Sequence, residues 1–467
     1  MSRPNVLFIM SDQQRADTIG PNRHPCANYP SMEALCKQSV NFEQFYASAM
    51  PCVPSRASFL TGKNAWNFEC CSNARFYTQT QDLGPLNKTW MQTLRENGYS
   101  CISVGKTHMV HAGSFHVQVP TGNSFGDEDG WNHFYPQATP VDENQFFDIQ
   151  VAQRTCEILQ RVQDVPFALF VGFHAPHEPY VMPRKYLEYC HEEDVPLPQN
   201  WAEEDGGRSQ SYYRRIELFR KMFGGCIDDE AAVRKGIAAY FGALKMVDDC
   251  LEKIIEKVKE LGLWDNTLIV YTSDHGEMLG NHHLFNKNAT SYQEESHIPF
   301  MMKLPGNRHA GKNISHLAAG IDWYPTVMDI LNIEEDVPLP GRSLLPCIED
   351  AVSVRDYVLT WYGMCSMAIR TKDYVLMYHP QDADGELYNL TNDPAEEHNL
   401  YHDPAHIGIV HEMMQKMLTQ RMLEDMQSSM LTRRELRLHR EIYASGEPEV
   451  CLLPKHMLAH TIREKNK

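Results

Sequence analysis

Three continuously apolar runs of strand length occur along the chain. Residues 6–10, 167–171 and 267–271 lack the alternation of polar and apolar positions that marks a strand with one wet face. Strands buried on both faces of a parallel sheet show this pattern, because helices cover both faces. The runs therefore predict a parallel sheet at the centre of the fold.

Helical spacing separates these runs. Between residues 229 and 261, apolar residues recur every three or four positions before Gly262. A shorter helical segment, 89–97, ends at Gly98 and is followed by a further strand candidate at 99–104. The alternation predicts an α/β fold, with a large mixed, mostly parallel sheet sandwiched by helices.

The pattern changes after about residue 350. Short alternating segments predict a small antiparallel sheet, and a charged helix follows over 403–441. The strand segments are 357–361, 367–370, 374–378 and 387–390. We therefore expect a catalytic α/β domain at 1–350 and a C-terminal subdomain with a small sheet, a long helix and a tail at 351–467. Residues 183–228 show little periodicity, which predicts a long loop inserted near the active face.

Composition excludes several classes of function. The 467 residues carry 43 Lys and Arg against 61 Asp and Glu, a net charge of -18 that disfavours a nucleic-acid partner. No apolar run reaches the roughly 18 residues of a membrane span. The 13 cysteines are odd in number and scattered, as expected of reduced thiols. With no apolar leader before the first strand, we expect a cytoplasmic protein.

Polar residues directly follow the predicted strands, where ligands bind in open α/β sheets. Asp12 and Gln13 follow the first run, and Asp274 and His275 follow the third. Together they offer hard oxygen donors and one nitrogen, which suits a divalent cation. The alternative is that the acidic residues only cap turns or helices.

Cys52 is a candidate nucleophile at the start of a predicted helix. Pro54 suits a first helical turn, and the amides of a helix N-terminus would stabilise an anion beside Cys52. Arg56 would face back toward it. The spacing from Cys52 to Arg56 is too short for a thiol phosphatase, and the alternative reading is a buried, inert cysteine.

Eight sequence blocks spread along the chain form a recognisable series. The blocks are Asp12-Gln13-Gln14-Arg15-Ala16-Asp17, Cys52-x-Pro54-Ser55-Arg56 with Thr61-Gly62, Gly105-Lys106-Thr107-His108, Pro176-His177-Glu178-Pro179, Thr272-Ser273-Asp274-His275-Gly276-Glu277, Phe285-Asn286-Lys287, Ile321-Asp322-Trp323-Tyr324-Pro325-Thr326 and Leu387-Tyr388-Asn389-Leu390. In this order they resemble the blocks of the type I sulfatases of the alkaline phosphatase superfamily, and the resemblance covers roughly residues 4 to 400. The resemblance implies an alkaline phosphatase/sulfatase-like fold.

The resemblance also implies two cofactors. A maturation enzyme would oxidise Cys52 to formylglycine, whose hydrated aldehyde supplies the attacking oxygen. A divalent cation would lie among Asp12, Gln13, Asp274, His275 and residue 52. Calcium is the expected ion, with magnesium, manganese and zinc as alternatives.

Catalytic roles follow from the same resemblance. Arg56, Lys106 and Lys287 would add positive charge around the sulfate group. His177 or Lys287 would protonate the leaving alcohol, and His108 would remove a proton from the hydrate.

Four further residues are weaker candidates for substrate binding. They are His111, Tyr180, His282 and His283. These histidines could line the substrate mouth, or they could lie in solvated loops.

The sequence therefore predicts a sulfatase that hydrolyses sulfate monoesters, either an aryl sulfate or a sulfated small saccharide. Gln13 and His275 also resemble the related phosphonate monoester and phosphodiester hydrolases, which are the first alternative. The second alternative is a binder of sulfated ligands in which Cys52 is never converted. Beyond its substrate, we expect a transient maturation enzyme as partner, and self-association into a homo-oligomer is left open.

Overall fold

The computed structural model describes residues 3–21, 23–68, 72–73, 87–108, 117–119, 136–138, 142–201, 207–287, 290–334, 339–363 and 365–428. Its strands are β1 (Asn5–Asp12), β2 (Val40–Phe42), β3 (Phe45–Tyr46), β4 (Ala49–Met50), β5 (Ser100–Gly105), β6 (Val117–Val119), β7 (Gln137–Ala138), β8 (Phe167–Pro176), β9 (Val181–Met182), β10 (Thr267–Ser273), β11 (Phe300–Lys303), β12 (Asn313–Ile314), β13 (Ala318–Ala319), β14 (Val358–Tyr362), β15 (Ser366–Arg370), β16 (Tyr374–His379) and β17 (Asp384–Asn389). Its α-helices are α1 (Pro30–Lys37), α2 (Cys52–Thr61), α3 (Trp90–Glu96), α4 (Phe147–Val162), α5 (Arg184–Leu187), α6 (Gln210–Met222), α7 (Glu230–Glu260), α8 (Gln293–Ser296), α9 (Trp323–Leu331), α10 (Leu345–Glu349) and α11 (Ile407–Ser428).

An eight-stranded sheet forms the centre of the fold, in the order β12-β2-β11-β10-β1-β8-β5-β6. β11 is antiparallel to its two neighbours, whereas the other pairs are parallel. Leu7 and Ile9 of β1 pack into one hydrophobic cluster with α4 and α7. Phe8 packs into a second cluster, with α2 and α3. Both faces of the sheet are therefore covered, which explains the continuously apolar strands and confirms the predicted mixed, mostly parallel architecture.

The helix predicted over 229–261 is confirmed as α7. The side chain of Asp229 caps its start by accepting a hydrogen bond from Ala231 N at 3.0 Å. Ile237, Leu244 and Leu251 of α7 are buried in the first cluster. In the described part of the chain, no helix combines the length and apolar character needed to cross a membrane.

A five-stranded sheet near the C-terminus has the order β17-β16-β15-β14-β4. Its four predicted strands are confirmed, and each pairs antiparallel with the next. The sequence did not predict β4, a two-residue strand that pairs parallel with β14, because so short a segment carries no pattern. Val410, Met413 and Met417 of α11 pack against this sheet.

Residues up to Met417 form one compact unit, and Leu418–Lys467 form a second. Of the second unit, the structure describes only residues 418–428, the end of α11. The predicted helix end at 441 lies outside the described residues, and the domain boundary near 350 stays a prediction.

The prediction of a loop over 183–228 is wrong in part, since this segment contains α5 and α6. Ser209 is the N-cap residue directly before α6, and its side chain accepts a hydrogen bond from Tyr212 N at 3.3 Å. Tyr212, Ile216 and Phe219 are buried at helical spacing along α6. The Ser cap and this spacing were the available signals, but the charged residues between them obscured the pattern.

Candidate active site

The carboxyl ends of four neighbouring strands bring the predicted site residues to one edge of the central sheet. β1 lies between β10 and β8 and is parallel to both, with Ser11 paired with Ser273. β5 continues the parallel order, with Gly105 paired with Gly172 of β8. Because these strands end at the same edge, the residues that follow them lie together.

Four buried side chains form a compact group of donors at this edge. The ligand atoms of Asp12, Cys52, Asp274 and His275 all lie within 4.8 Å of one another. Cys52 Sγ is 3.2 Å from His275 Nε2 and 3.7 Å from Asp12 Oδ1. His275 Nδ1 donates to Gly276 O at 2.9 Å, which leaves Nε2 facing the group. Two carboxylates and an imidazole are a donor set that fits a divalent cation.

Gln13, the fifth predicted ligand, is held by a different set of contacts. Its Oε1 accepts a hydrogen bond from Lys287 Nζ at 2.7 Å. Its Nε2 donates to Glu178 Oε2 at 2.7 Å and to the carboxylate of Glu277. Gln13 has a left-handed φ of 71°, and Asp274 Oδ1 accepts its backbone N–H at 3.1 Å. The side-chain oxygen thus faces Lys287, and the role of Gln13 as a metal ligand stays a prediction.

Arg56 joins the two carboxylates of the donor group. Its Nε donates to Asp274 Oδ2 at 2.8 Å, its Nη2 to Asp12 Oδ2 at 2.9 Å and its Nη1 to Lys106 O at 2.6 Å. Lys106 Nζ lies 2.8 Å from Asp12 Oδ2. Burial alone would raise the pKa of Asp12, but the charges of Lys106 and Arg56 hold it well below its usual range. Asp12 is therefore a carboxylate at neutral pH.

Lys287 and His177 form a hydrogen-bonded pair beside Cys52. Lys287 Nζ and His177 Nε2 are 2.9 Å apart, and His177 Nδ1 donates to Glu178 O at 2.6 Å. Burial lowers the pKa of His177 well below its usual range. Burial also opposes the charge of Lys287, but Cys52 and Glu178 raise the pKa of Lys287 above its usual value. At neutral pH the proton therefore lies on Lys287, and His177 Nε2 accepts it in a hydrogen bond.

His108 lies two residues after Lys106 and has a left-handed φ of 55°. Burial, with the charges of Lys106 and Arg56, lowers the pKa of His108 well below its usual range. His108 is thus a neutral imidazole that is able to accept a proton.

Sequence reasoning missed Asn73, which contacts the candidate nucleophile. Asn73 Nδ2 lies 3.8 Å from Cys52 Sγ, and its Oδ1 accepts a hydrogen bond from Val53 N at 3.0 Å. No periodic pattern or motif surrounds Asn73, so only the tertiary contact reveals it.

The weaker candidates for substrate binding lie in different places. His111 lies outside the described residues. Tyr180 is buried and lines a pocket beside His177. His282 is fully buried and stacks on Tyr292 with ring centroids 4.1 Å apart. Both ring nitrogens of His283 are engaged in hydrogen bonds with neighbouring residues.

Comparisons with known proteins match nearly the whole chain. The sequence model of the Sulfatase family matches residues 4–333, and a model described as N-sulphoglucosamine sulphohydrolase, C-terminal, matches residues 280–423. A multifunctional alkaline phosphatase superfamily protein of Trinickia caryophylli is 29% identical, covering 90% of this chain and 96% of its own. An arylsulfatase of Clostridium perfringens is 25% identical, covering 85% and 90%. The solved phosphonate monoester hydrolase of Silicibacter pomeroyi has a TM-score of 0.79 at 22% identity, covering 93% and 100%.

Proposed function

This chain belongs to the sulfatase family and is a sulfuric ester hydrolase, and we propose that it cleaves sulfate monoesters of a small aryl or saccharide alcohol through a formylglycine made from Cys52. The observation that carries the proposal is the position of Cys52. It is the first residue of α2, it is fully buried, and its Sγ lies 3.2 Å from His275 Nε2. A structural cysteine gains nothing from surroundings this polar, whereas a reacting group needs them.

A divalent cation would be held by Asp12, Asp274, His275 and residue 52, with Gln13 as a further ligand. Bound there, the cation would neutralise charge on the sulfate group and so lower the barrier to attack by an oxygen nucleophile. The two carboxylates favour calcium or magnesium, whereas the imidazole favours manganese or zinc. Burial opposes protonation of His275, but Asp274 and Cys52 raise its pKa to about 9 in the protein with an unmodified Cys52.

The side chains around residue 52 would divide the remaining work. The formylglycine hydrate would supply the oxygen nucleophile. Arg56 fixes the orientation of the two ligand carboxylates, and Lys106 adds positive charge beside Asp12. Lys287 would protonate the leaving alcohol, because it carries the proton of the pair that it forms with His177. His177 would then be a positioning residue.

His108 would act on the other proton of the reaction. Its neutral imidazole suits a base for the second hydroxyl of residue 52, whose proton must be removed for the aldehyde to form again. A serine or an unmodified cysteine at this position could not release sulfate in this way, since neither collapses to a carbonyl.

The test is peptide mass spectrometry across residues 50–60, paired with an aryl sulfate assay on protein co-expressed with a maturation enzyme. We expect formylglycine at position 52 together with sulfate release. Cys52→Ala should abolish turnover with the fold intact, whereas Cys347→Ala, at another buried cysteine, should keep the activity. Full activity of protein with an unmodified Cys52 would contradict the formylglycine mechanism. Modified protein that binds but never hydrolyses sulfate esters would identify a binder.

A second candidate activity is hydrolysis of phosphonate monoesters or phosphodiesters. It is favoured by the imidazole of His275 in the donor group and by Gln13 beside it. The likeness in fold to a phosphonate monoester hydrolase agrees with this candidate. Side-by-side assays with aryl sulfates, aryl phosphodiesters and aryl phosphonates distinguish the two, and a higher kcat/KM on the phosphorus esters would replace the sulfatase proposal.

A further inference from the structure

Two buried carboxylates beside the donor group each contact both Gln13 and Asn286. Glu178 Oε2 accepts a hydrogen bond from Gln13 Nε2 at 2.7 Å, and Glu178 Oε1 accepts one from Asn286 Nδ2 at 2.8 Å. Glu277 Oε2 likewise accepts from Gln13 Nε2, and Glu277 Oε1 accepts from Asn286 N. Each of the four residues is at most 2% exposed. Together they close a ring of hydrogen bonds, the amide–carboxylate ring.

The amide–carboxylate ring determines which way the amide of Gln13 faces. An amide nitrogen carries two N–H donors, whereas its oxygen only accepts. Because Glu178 and Glu277 both accept from this nitrogen, rotation of the amide by half a turn would set its oxygen against two buried carboxylates with no proton between them. Gln13 Oε1 therefore faces Lys287 Nζ at 2.7 Å, and the same oxygen would serve the predicted cation site.

The same ring fixes the chain directly before Lys287. Asn286 has a left-handed φ of 63°, and its Oδ1 accepts a hydrogen bond from Lys287 N at 2.7 Å. Because the two carboxylates hold both nitrogens of Asn286, the backbone that enters Lys287 is held in place. Both partners in the hydrogen bond between Gln13 and Lys287 are thus tied to Glu178 and Glu277.

We propose that Glu178 and Glu277 are positioning residues, which hold the amide of Gln13 and the ammonium group of Lys287 in the orientation that the reaction uses. The inference rests on the proposed function, in which Lys287 protonates the leaving alcohol. It also places a requirement on position 13. A carboxylate at this position has no N–H to donate, so Gln13→Glu would set a third carboxylate against the other two. The ring therefore requires an amide and not an acid at position 13.

The positioning role is tested with Glu178→Gln and Glu277→Gln, which keep the size of the side chain and remove its charge. We expect kcat/KM to fall about tenfold further for phenyl sulfate than for 4-nitrophenyl sulfate, because a good leaving group needs little protonation. The matched control is Glu386→Gln, at a buried carboxylate that accepts hydrogen bonds from Tyr292 and Tyr388. Whatever stability this control loses, it should change kcat/KM for both esters by the same factor. Unchanged rates, or an equal loss for both esters, in the Glu178 and Glu277 variants would overturn the positioning role.

The requirement for an amide is tested without turnover, by thermal unfolding at pH 7 with a chelator present. Gln13→Glu should lower the Tm by about 5 °C, through the unpaired buried charge. In Gln13→Glu/Glu277→Gln the amide and the carboxylate exchange places, and about half of the loss should be regained, because Glu178 still faces position 13. Losses that simply add would refute the requirement. Regained stability in a protein that hydrolyses no sulfate ester would support the orientation of Gln13 by the ring and refute the proposed function alone.

Discussion

Gly172 of β8 leaves no room for a side chain. A Cβ at this position would lie 1.9 Å from Lys106 O and 3.2 Å from Arg56 Nη1. The same stretch of backbone carries two hydrogen bonds, from Lys106 N to Gly172 O at 2.8 Å and from Arg56 Nη1 to Lys106 O at 2.6 Å. Gly172→Ala therefore displaces the backbone of Lys106, including the carbonyl oxygen that accepts the hydrogen bond from Arg56.

The size of the effect follows from these distances. Ordinary contact of a Cβ begins near 3.4 Å, so β5 and β8 must separate locally by about 1.5 Å. Overpacking costs about 1–3 kcal/mol, and loss of a hydrogen bond to a charged group costs about 1.5–3 kcal/mol. We expect Gly172→Ala to lower the free energy of unfolding by about 3–5 kcal/mol, a large share of the roughly 5–15 kcal/mol of a typical fold. Misplacement of Lys106 and Arg56 by about 1 Å should lower kcat/KM about 100-fold.

Urea unfolding and an aryl sulfate assay measure the two effects separately. The matched control is Gly408→Ala in α11, because no atom lies within 4 Å of a Cβ at Gly408. The control should be equal to wild type or more stable, by at most about 1 kcal/mol, through its better helix propensity. A Gly172→Ala protein with the stability and activity of wild type would refute the reasoning.

Four further substitutions test the charges of the site. Arg56→Met leaves the carboxylates of Asp12 and Asp274 buried without their shared partner. With a chelator present, it should lower the free energy of urea unfolding by about 3–5 kcal/mol, and added calcium should restore part of that stability. Asp274→Asn should lower both the affinity for the metal ion, measured by calorimetry, and kcat/KM. An unchanged affinity for the metal ion would argue against a ligand role of Asp274. Lys287→Ala should slow the hydrolysis of sulfate esters with poor leaving groups more than the hydrolysis of 4-nitrophenyl sulfate. An equal loss of rate for both kinds of ester would exclude Lys287 as the general acid. Burial raises the pKa of Asp148 to about 6 from 3.8, so the folded protein keeps a proton that the unfolded chain loses as the pH rises from about 4 to 6. The free energy of unfolding of wild type relative to Asp148→Asn should therefore fall by about 3 kcal/mol over this rise in pH. A difference that stays constant with pH would contradict this.

The fold was predictable where a local pattern determines it. β1 is apolar on both faces because helices cover both, and the same rule predicted β8 and β10. The donor group was predictable in kind, since Asp12 and Asp274 directly follow strands. That they meet depends on the pairing of β1 with β10, which a single sequence does not contain.

The remaining features depend on tertiary partners. β4 is a strand only because β14 lies beside it, and Asn73 reaches Cys52 from a segment without a pattern. Arg56 was expected to face the candidate nucleophile, but its guanidinium is occupied by Asp12, Asp274 and Lys106 O. A motif identifies an arginine of this kind, but only the geometry shows which group it binds.

The contacts of Arg56 change how the site attracts an anionic ester. Arg56 and Lys106 are both paired with Asp12, and Arg56 also with Asp274, so much of their charge is already balanced inside the protein. An ester entering these surroundings gains little from cations whose charge is offset by carboxylates a few ångströms away. A divalent ion at the same carboxylates would shift the balance to positive, and the ester would then be attracted. Because such coupling is reciprocal, the affinities for ester and for cation should rise together, and the carboxylates that would hold the ion would also determine how strongly the substrate binds.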